Sequence, residues 1–154
     1  MQLHQPIYLL DAIGPFFRAS PPGRLNWSKI PFAHLEAEGQ VRRELFPRIR
    51  EDFRIVCENA VACGFNALSI DDLAHLHDHP TYPEDLRSRI RAYREEFAAL
   101  FAIAAEYRLA VYVTTDIMFY HASIEASCGD DPKRLQARFA EALDDVFASF
   151  PGVQ

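Results

Sequence analysis

The chain has 154 residues, of which 49% are hydrophobic and 25% charged, and its net charge at pH 7 is −6. These values are typical of one globular domain with a hydrophobic core. The acidic balance argues against a nucleic-acid partner, because contact with phosphates requires clustered basic residues. No apolar run reaches membrane-spanning length and no signal-peptide pattern is present, so we expect a cytoplasmic protein without membrane contact.

Three apolar, strand-like segments each end in aspartate. Residues 7–11 end at Asp11, residues 67–72 at Asp71 and Asp72, and residues 110–116 at Asp116. A long amphipathic helix pattern follows each segment. This repeat predicts an α/β barrel or a doubly wound sheet with parallel strands, in which the carboxylates meet at the carboxyl ends of the strands.

In chain order, residues 6–17 read as a strand that breaks at Gly14-Pro15, and residues 18–44 read as a long loop. Helical spacing then predicts a first helix from about Phe46 to Cys63. Gly64 follows at the position where a left-handed helix cap is favoured. The second strand begins almost at once.

A loop over residues 73–82 follows Asp72, and Pro83 opens the second helix. The third strand is predicted from Leu109 to about Phe119, after a turn at Arg108. Residues 120–131 read as a loop, and Pro132 opens the third helix. A fourth strand is expected to start within residues 150–154, which favours a single domain over residues 1–154 that forms the N-terminal part of a larger barrel.

Alternation along the strands predicts which residues share a face. Ala67, Ser69 and Asp71 share one face of the second strand, and the aliphatic residues between them should meet the helices. In the third strand, Thr114 and Asp116 share the polar face. The phase of the first strand is ambiguous from sequence alone.

The carboxylates at the strand ends are the main candidate site. Asp11, Asp71, Asp72 and Asp116, with Thr114 beside them, are expected to bind substrate hydroxyls at a common rim. The alternative is that these side chains cap helices or loop amides. For Asp72, which is one residue out of phase, both interpretations are kept.

Histidines cluster after the second strand, at His75, His77 and His79 around Asp78. Imidazole and carboxylate are common transition-metal ligands. A solvated loop with one functional histidine is nonetheless favoured, and His75 is that residue because it lies closest to the strand end. We therefore expect no metal site.

Aromatic residues in the predicted loops can also reach the rim. Trp27 lies in the first long loop and Tyr120 follows the third strand. Their rings suit stacking on sugar faces, or they simply pack the loops onto the fold. Motifs for phosphate, dinucleotide and zinc binding are absent, so no cofactor is expected. Cys57, Cys63 and Cys128 are expected as free thiols.

The runs at residues 64–72, 93–97 and 112–116 together resemble the opening units of a carbohydrate-active (β/α)8 barrel. The style is that of glycoside hydrolases such as the α-glucuronidase and β-hexosaminidase groups. This resemblance implies that early aspartates and histidines bind sugar hydroxyls, while the catalytic carboxylates come from the fourth strand onward. Arg108 departs from the pattern, because a glycine is expected there.

Three functions stay open at this point. The first is a partial glycoside-hydrolase-like barrel that contributes carbohydrate-binding loops and is inactive alone. The second is a self-contained α/β module for binding or assembly that completes its sheet by self-association through unpaired edges. The third is a metal-dependent barrel hydrolase or isomerase that uses the histidine loop.

Overall fold

The computed structural model describes residues 6–11, 30–114 and 122–153. These residues form β1 (Leu9–Asp11), α1 (Phe32–Leu35), β2 (Glu36–Ala37), β3 (Gln40–Val41), α2 (Phe46–Ala62), β4 (Ala67–Asp71), α3 (Glu84–Glu106), β5 (Ala110–Thr114), α4 (Ala122–Cys128) and α5 (Pro132–Ser149). Short 3₁₀ turns lie at Arg43–Leu45 and Leu73–His75.

The main sheet has the order β1-β4-β5, and both pairings are parallel. Leu10 pairs with Leu68, which pairs with Val111. After α5, Val153 forms a parallel bridge to Val111 on the far side of β5. The predicted α/β class with a parallel sheet is confirmed, and the bridge lies where a fourth strand was expected.

Local sequence explains where the helices begin and end. α2 carries Pro47 in its first turn, where a missing N–H costs nothing, and Gly64 follows the helix at φ +86°. Arg108 also takes a left-handed conformation, at φ +58°. Asp131 caps α5 by accepting a 2.9 Å hydrogen bond from the N–H of Lys133.

One face of the sheet meets all three long helices. Leu68, Ile70 and Val111 are buried in one cluster with residues of α2, α3 and α5. Leu10 and Val113 pack against the same cluster. The predicted aliphatic face is therefore confirmed, and Leu10 settles the phase of β1 by placing Leu9 and Asp11 on the opposite face.

Two predicted loops contain regular structure. The loop predicted at residues 18–44 includes α1 and the antiparallel hairpin β2–β3 in its described part. The prediction of a loop over residues 120–131 was wrong, because α4 occupies most of this range and buries Ile124 and Cys128. The predicted ends of the first and third strands, beyond Asp11 and Thr114, lie outside the described residues.

Among the described helices, none combines the length and apolar character needed to cross a lipid bilayer.

Ile49 and Ile55 offer a matched test of the packing of α2. Ile49 is 3% exposed and Ile55 is 43% exposed on the same helix. We expect Ile49→Ala to lower the free energy of unfolding by about 2–5 kcal/mol, because it leaves a cavity in the core. Ile55→Ala should lower it by less than about 1 kcal/mol. Urea unfolding measures both, and equal losses would contradict the packing of this helix.

Candidate functional site

The carboxyl edge of the sheet carries two carboxylate–hydroxyl pairs. The Ser69 hydroxyl donates to Asp11 Oδ1 at 3.1 Å, and the Thr114 hydroxyl donates to Asp71 Oδ1. The register explains both pairs, since Asp11 stands opposite Ser69 and Asp71 stands opposite Thr114. All four side chains lie on the face away from the helices. We call these four residues the acidic edge.

Asp72 adopts the capping role that the sequence left open for it. Asp71 and Asp72 are joined by a cis peptide bond. Asp72 Oδ1 accepts a 3.1 Å hydrogen bond from the N–H of Ala74, which begins the 3₁₀ turn after β4. Asp72 Oδ2 lies 3.9 Å from Nδ1 of His75. Asp72 therefore connects the acidic edge to the histidine loop.

His75 lies in an aromatic setting. Its ring stacks on Phe32 with centroids 3.4 Å apart and planes 4° apart, and the edge of Tyr93 meets it at 5.7 Å. Burial, with a further contribution from the Arg89 guanidinium, lowers the pKa of His75 to about 4. The imidazole is therefore neutral near pH 7.

His77 is held by an ion-pair network. Its Nδ1 lies 2.9 Å from Asp145 Oδ2, and Arg94 bonds both oxygens of Asp145 at 2.8 and 3.3 Å. Arg94 also donates to the carbonyl of Leu76 at 2.6 Å. Burial acts to raise the pKa of Asp145, but hydrogen bonds from Arg94 and His77 outweigh it and lower that pKa. The network joins the loop to α3 and α5.

The rest of the histidine loop is anchored in the same way. Asp78 accepts from Nε of Arg87 at 2.8 Å, and His79 contacts both Arg138 and Thr81. Burial first, and then Arg138 and His77, lower the pKa of His79. The expectation of a solvated loop was wrong, because each of these side chains bonds to a helix or to the loop itself.

Metal binding finds no support in this loop. In the part of the chain that the structure describes, no three His, Cys, Asp or Glu side chains are grouped closely enough to hold a metal ion.

A charged group beside His75 was not anticipated from the sequence. Glu36 accepts from the Tyr93 hydroxyl at 3.0 Å and from Arg89 at 2.9 Å. Burial, followed by the Glu36 charge, raises the pKa of Tyr93 well above its ordinary value. With His75, these side chains line a cavity of about 40 Å³. Arg89 and Tyr93 share a helix face by their spacing, but no local signal pointed to Glu36.

The structure thus brings five of the predicted site residues to one region. Asp11, Asp71 and Thr114 form hydrogen bonds at the strand ends, and Asp72 and His75 follow directly. The remaining three candidates, Trp27, Asp116 and Tyr120, lie outside the described residues.

Comparison of the chain with protein-family models, curated proteins and solved structures finds no match.

The neutral state of His75 gives a pH dependence with a defined sign. Its pKa is about 4 in the fold, against 6.5 as the ordinary value. Below pH 6.5, His75 binds a proton in the unfolded chain but not in the folded chain. The free energy of unfolding therefore decreases as the pH is lowered from 6.5 to about 4. The loss from this residue is on the order of 3 kcal/mol.

The variant His75→Phe keeps a ring against Phe32 but has no imidazole. We expect its free energy of unfolding to lack most of this dependence on pH. Urea unfolding at several pH values between 7 and 4 measures it in both proteins. Other titrating groups are common to the two, so their difference isolates His75. Parallel curves for wild type and variant would contradict a buried neutral imidazole.

Proposed function

We propose that this fold is the opening part of a (β/α)8 barrel and that its acidic edge binds a polyhydroxylated carbohydrate. In such barrels the ligand site lies at the carboxyl ends of the strands. The observation that carries the proposal is the pair of carboxylate–hydroxyl contacts at that edge, on the sheet face away from the helices.

The order of the strands supports a barrel over a doubly wound sheet. β1, β4, β5 and the Val153 bridge follow one another across the sheet in chain order. A doubly wound sheet reverses its strand order at a switch point, whereas a barrel adds each new strand on the same side. No reversal occurs within the described residues.

The placement of the helices also favours a barrel over a doubly wound sheet. α2, α3 and α5 all contribute to the core cluster that contains Leu68 and Val111. Doubly wound sheets carry helices on both faces, while a barrel carries its helices only on the outside. The opposite face, with Ala67, Ser69 and Asp71, would then be the barrel interior.

The chemistry of the edge suits hydroxyl recognition. Carboxylate oxygens accept hydrogen bonds from hydroxyl groups, as Asp11 and Asp71 do from the hydroxyls of Ser69 and Thr114. Asp71 is buried, with 8% of its surface exposed, and burial strengthens the hydrogen bonds that a carboxylate accepts. A sugar that presents neighbouring hydroxyls along the edge offers matching donors.

A glycoside-hydrolase-like role is the form of this proposal that the sequence resemblance favours. The described residues then supply sugar-binding groups, and the catalytic acid and base lie on later strands. Asp116, Trp27 and Tyr120 stay predictions as further contacts with the carbohydrate. Under this proposal the chain on its own hydrolyses no glycoside.

A second candidate function, self-association, has its own supporting observation. Ile7, Tyr8 and Leu9 are 60%, 57% and 45% exposed. They lie at or beside β1, which pairs only with β4 among the described residues. An apolar sheet edge favours pairing with another copy.

The carbohydrate proposal is tested by Asp71→Asn. The amide has the shape of the carboxylate and its oxygen still accepts from Thr114, so we expect the variant to fold, which its melting temperature checks. Loss of the charge should weaken carbohydrate binding about tenfold or more, because hydrogen bonds to charged groups contribute about 1.5–3 kcal/mol. Titration with D-glucose and D-xylose, followed through the backbone amide resonances of Ser69 and Thr114, measures the affinity.

Asp144→Asn is the matched control, because Asp144 is an exposed carboxylate on α5. It should leave binding unchanged. The proposal fails if neither sugar shifts these resonances at high millimolar concentration, or if both variants weaken binding equally.

Self-association is tested by Ile7→Lys, with Ile55→Lys on α2 as the control. Both isoleucines are exposed, but only Ile7 adjoins the sheet edge. Sedimentation velocity over a range of concentrations should show association of the wild type and of Ile55→Lys, and a monomer for Ile7→Lys. A wild type that is monomeric at every concentration would contradict the assembly function.

A further inference from the structure

Three residues lie in one row across the main sheet. Ser69 on β4 stands opposite Asp11 on β1 and opposite Tyr112 on β5. Neighbouring strands of a sheet lie about 4.8 Å apart, so Tyr112 stands next to Ser69 on one side as Asp11 does on the other. The register therefore places an aromatic residue in the same row as one carboxylate–hydroxyl pair of the acidic edge.

The face that Tyr112 occupies follows from its neighbours along β5. Val111 belongs to the core cluster that the helices share, and Val113 packs against that cluster. Tyr112 lies between these two valines, so alternation directs it to the opposite face. Thr114 has the same phase, and its hydroxyl donates to Asp71. Tyr112 and the acidic edge therefore share the sheet face away from the helices.

The row before Tyr112 is entirely apolar. Leu9, Ala67 and Ala110 are in register across the three strands and carry only hydrocarbon. Tyr112 lies in the next polar row on this face, which contains the last residue of β1. In a barrel, apolar layers fill the interior, and residues at the carboxyl ends of the strands meet the ligand. The row of Tyr112 is thus the first on the ligand side.

This row is accessible from solvent. Tyr112 is partly exposed, and Asp11 and Thr114 are both exposed. The Tyr112 hydroxyl has no hydrogen-bond partner among the described residues, and it is not one of their buried unpaired groups. A ligand that reaches the acidic edge therefore also meets the tyrosine side chain.

An aromatic ring beside a carboxylate suits a sugar in its ring form. The face of the tyrosine ring carries partial negative charge, and the C–H groups on one face of a pyranose carry partial positive charge, so the two stack. Tyr112 and Asp71 are on neighbouring strands, two residues out of register. Sheet geometry puts their Cα atoms about 8 Å apart, a distance that a pyranose with its hydroxyls spans.

We propose that Tyr112 is the stacking platform of the carbohydrate site, so that the acidic edge selects sugars in the ring form over open-chain polyols. The inference rests on the proposed carbohydrate-binding function and adds to it a specificity-determining residue and a ligand class. A pyranose offers a fixed C–H face to the tyrosine ring, whereas an open-chain polyol offers hydroxyls without such a face.

The experiment compares D-xylose with xylitol, its open-chain polyol. Both are titrated into the protein, and the affinities are read from the amide resonances of Ser69 and Thr114. We expect D-xylose to bind about tenfold more tightly than xylitol, because only the ring form stacks. Nuclear Overhauser effects should connect the ring protons of Tyr112 with the axial protons on one face of D-xylose.

Tyr112→Ala removes the platform and Tyr112→Phe keeps it. We expect Tyr112→Ala to weaken D-xylose binding about tenfold and to leave xylitol binding unchanged, so that the preference falls to near one. Tyr112→Phe should retain the preference. Phe147→Ala is the matched control, because Phe147 is an exposed aromatic residue on α5, which lies on the other face of the sheet. It should leave both affinities unchanged.

The outcomes separate the platform from the function on which it rests. Shifts at Ser69 and Thr114 without a preference for D-xylose over xylitol would overturn the platform alone. A preference for D-xylose that survives in Tyr112→Ala would overturn it as well. If neither D-xylose nor D-glucose shifts these resonances, the carbohydrate function and the platform fail together. If Tyr112→Ala does not fold, the Overhauser contacts of wild-type Tyr112 decide, and their absence in the D-xylose complex overturns the platform.

Discussion

The parallel register of β4 with its two neighbours is the constraint on which the other features depend. Side chains alternate between the two faces of a strand, so a shift of one residue would exchange the faces. In the observed register, Leu68 and Ile70 join the helix-covered core. Ser69 and Asp71 then face the other way and meet Asp11 and Thr114. One geometric fact thus produces both the core and the acidic edge.

The loop after β4 preserves that geometry at the strand end. Asp72 caps the 3₁₀ turn, His75 stacks on Phe32, and Asp145 holds His77 against α5. The last two contacts join the loop to α1 and α5, which also contribute to the core. The histidines therefore act first as anchors of the loop, and His75 in addition lines a cavity together with Glu36, Arg89 and Tyr93.

Much of the fold was accessible from sequence because its signals are local. Each signal can be recognised within its own segment of the sequence. Examples are the apolar spacing of α2 and α3, the proline in the first turn of α2, and Gly64 in its left-handed conformation. The polar face of β4 followed from alternation. The short helix α4 was missed because its seven residues carry too little periodicity to separate it from a loop.

The details of the site depended on tertiary contacts that the sequence does not show. Glu36 lies 57 residues before Tyr93, and their hydrogen bond has no local signature. Asp145 is likewise 68 residues from His77. Residue type alone made the histidine loop resemble a solvated or metal-binding segment, whereas its partners on distant helices make it a buried anchor.

The acidic edge exists only if the polar side chains of β4 point away from the helices. A methyl-resolved NOESY spectrum tests it directly, through contacts of Ala67, Leu68 and Ile70 with aromatic rings of α2 and α3. We predict cross-peaks from Leu68 and Ile70 to the ring protons of Phe53 or Phe97, which are both fully buried, and none from the Ala67 methyl. Cross-peaks from the Ala67 methyl to those rings, together with none from Leu68, would contradict this orientation of β4.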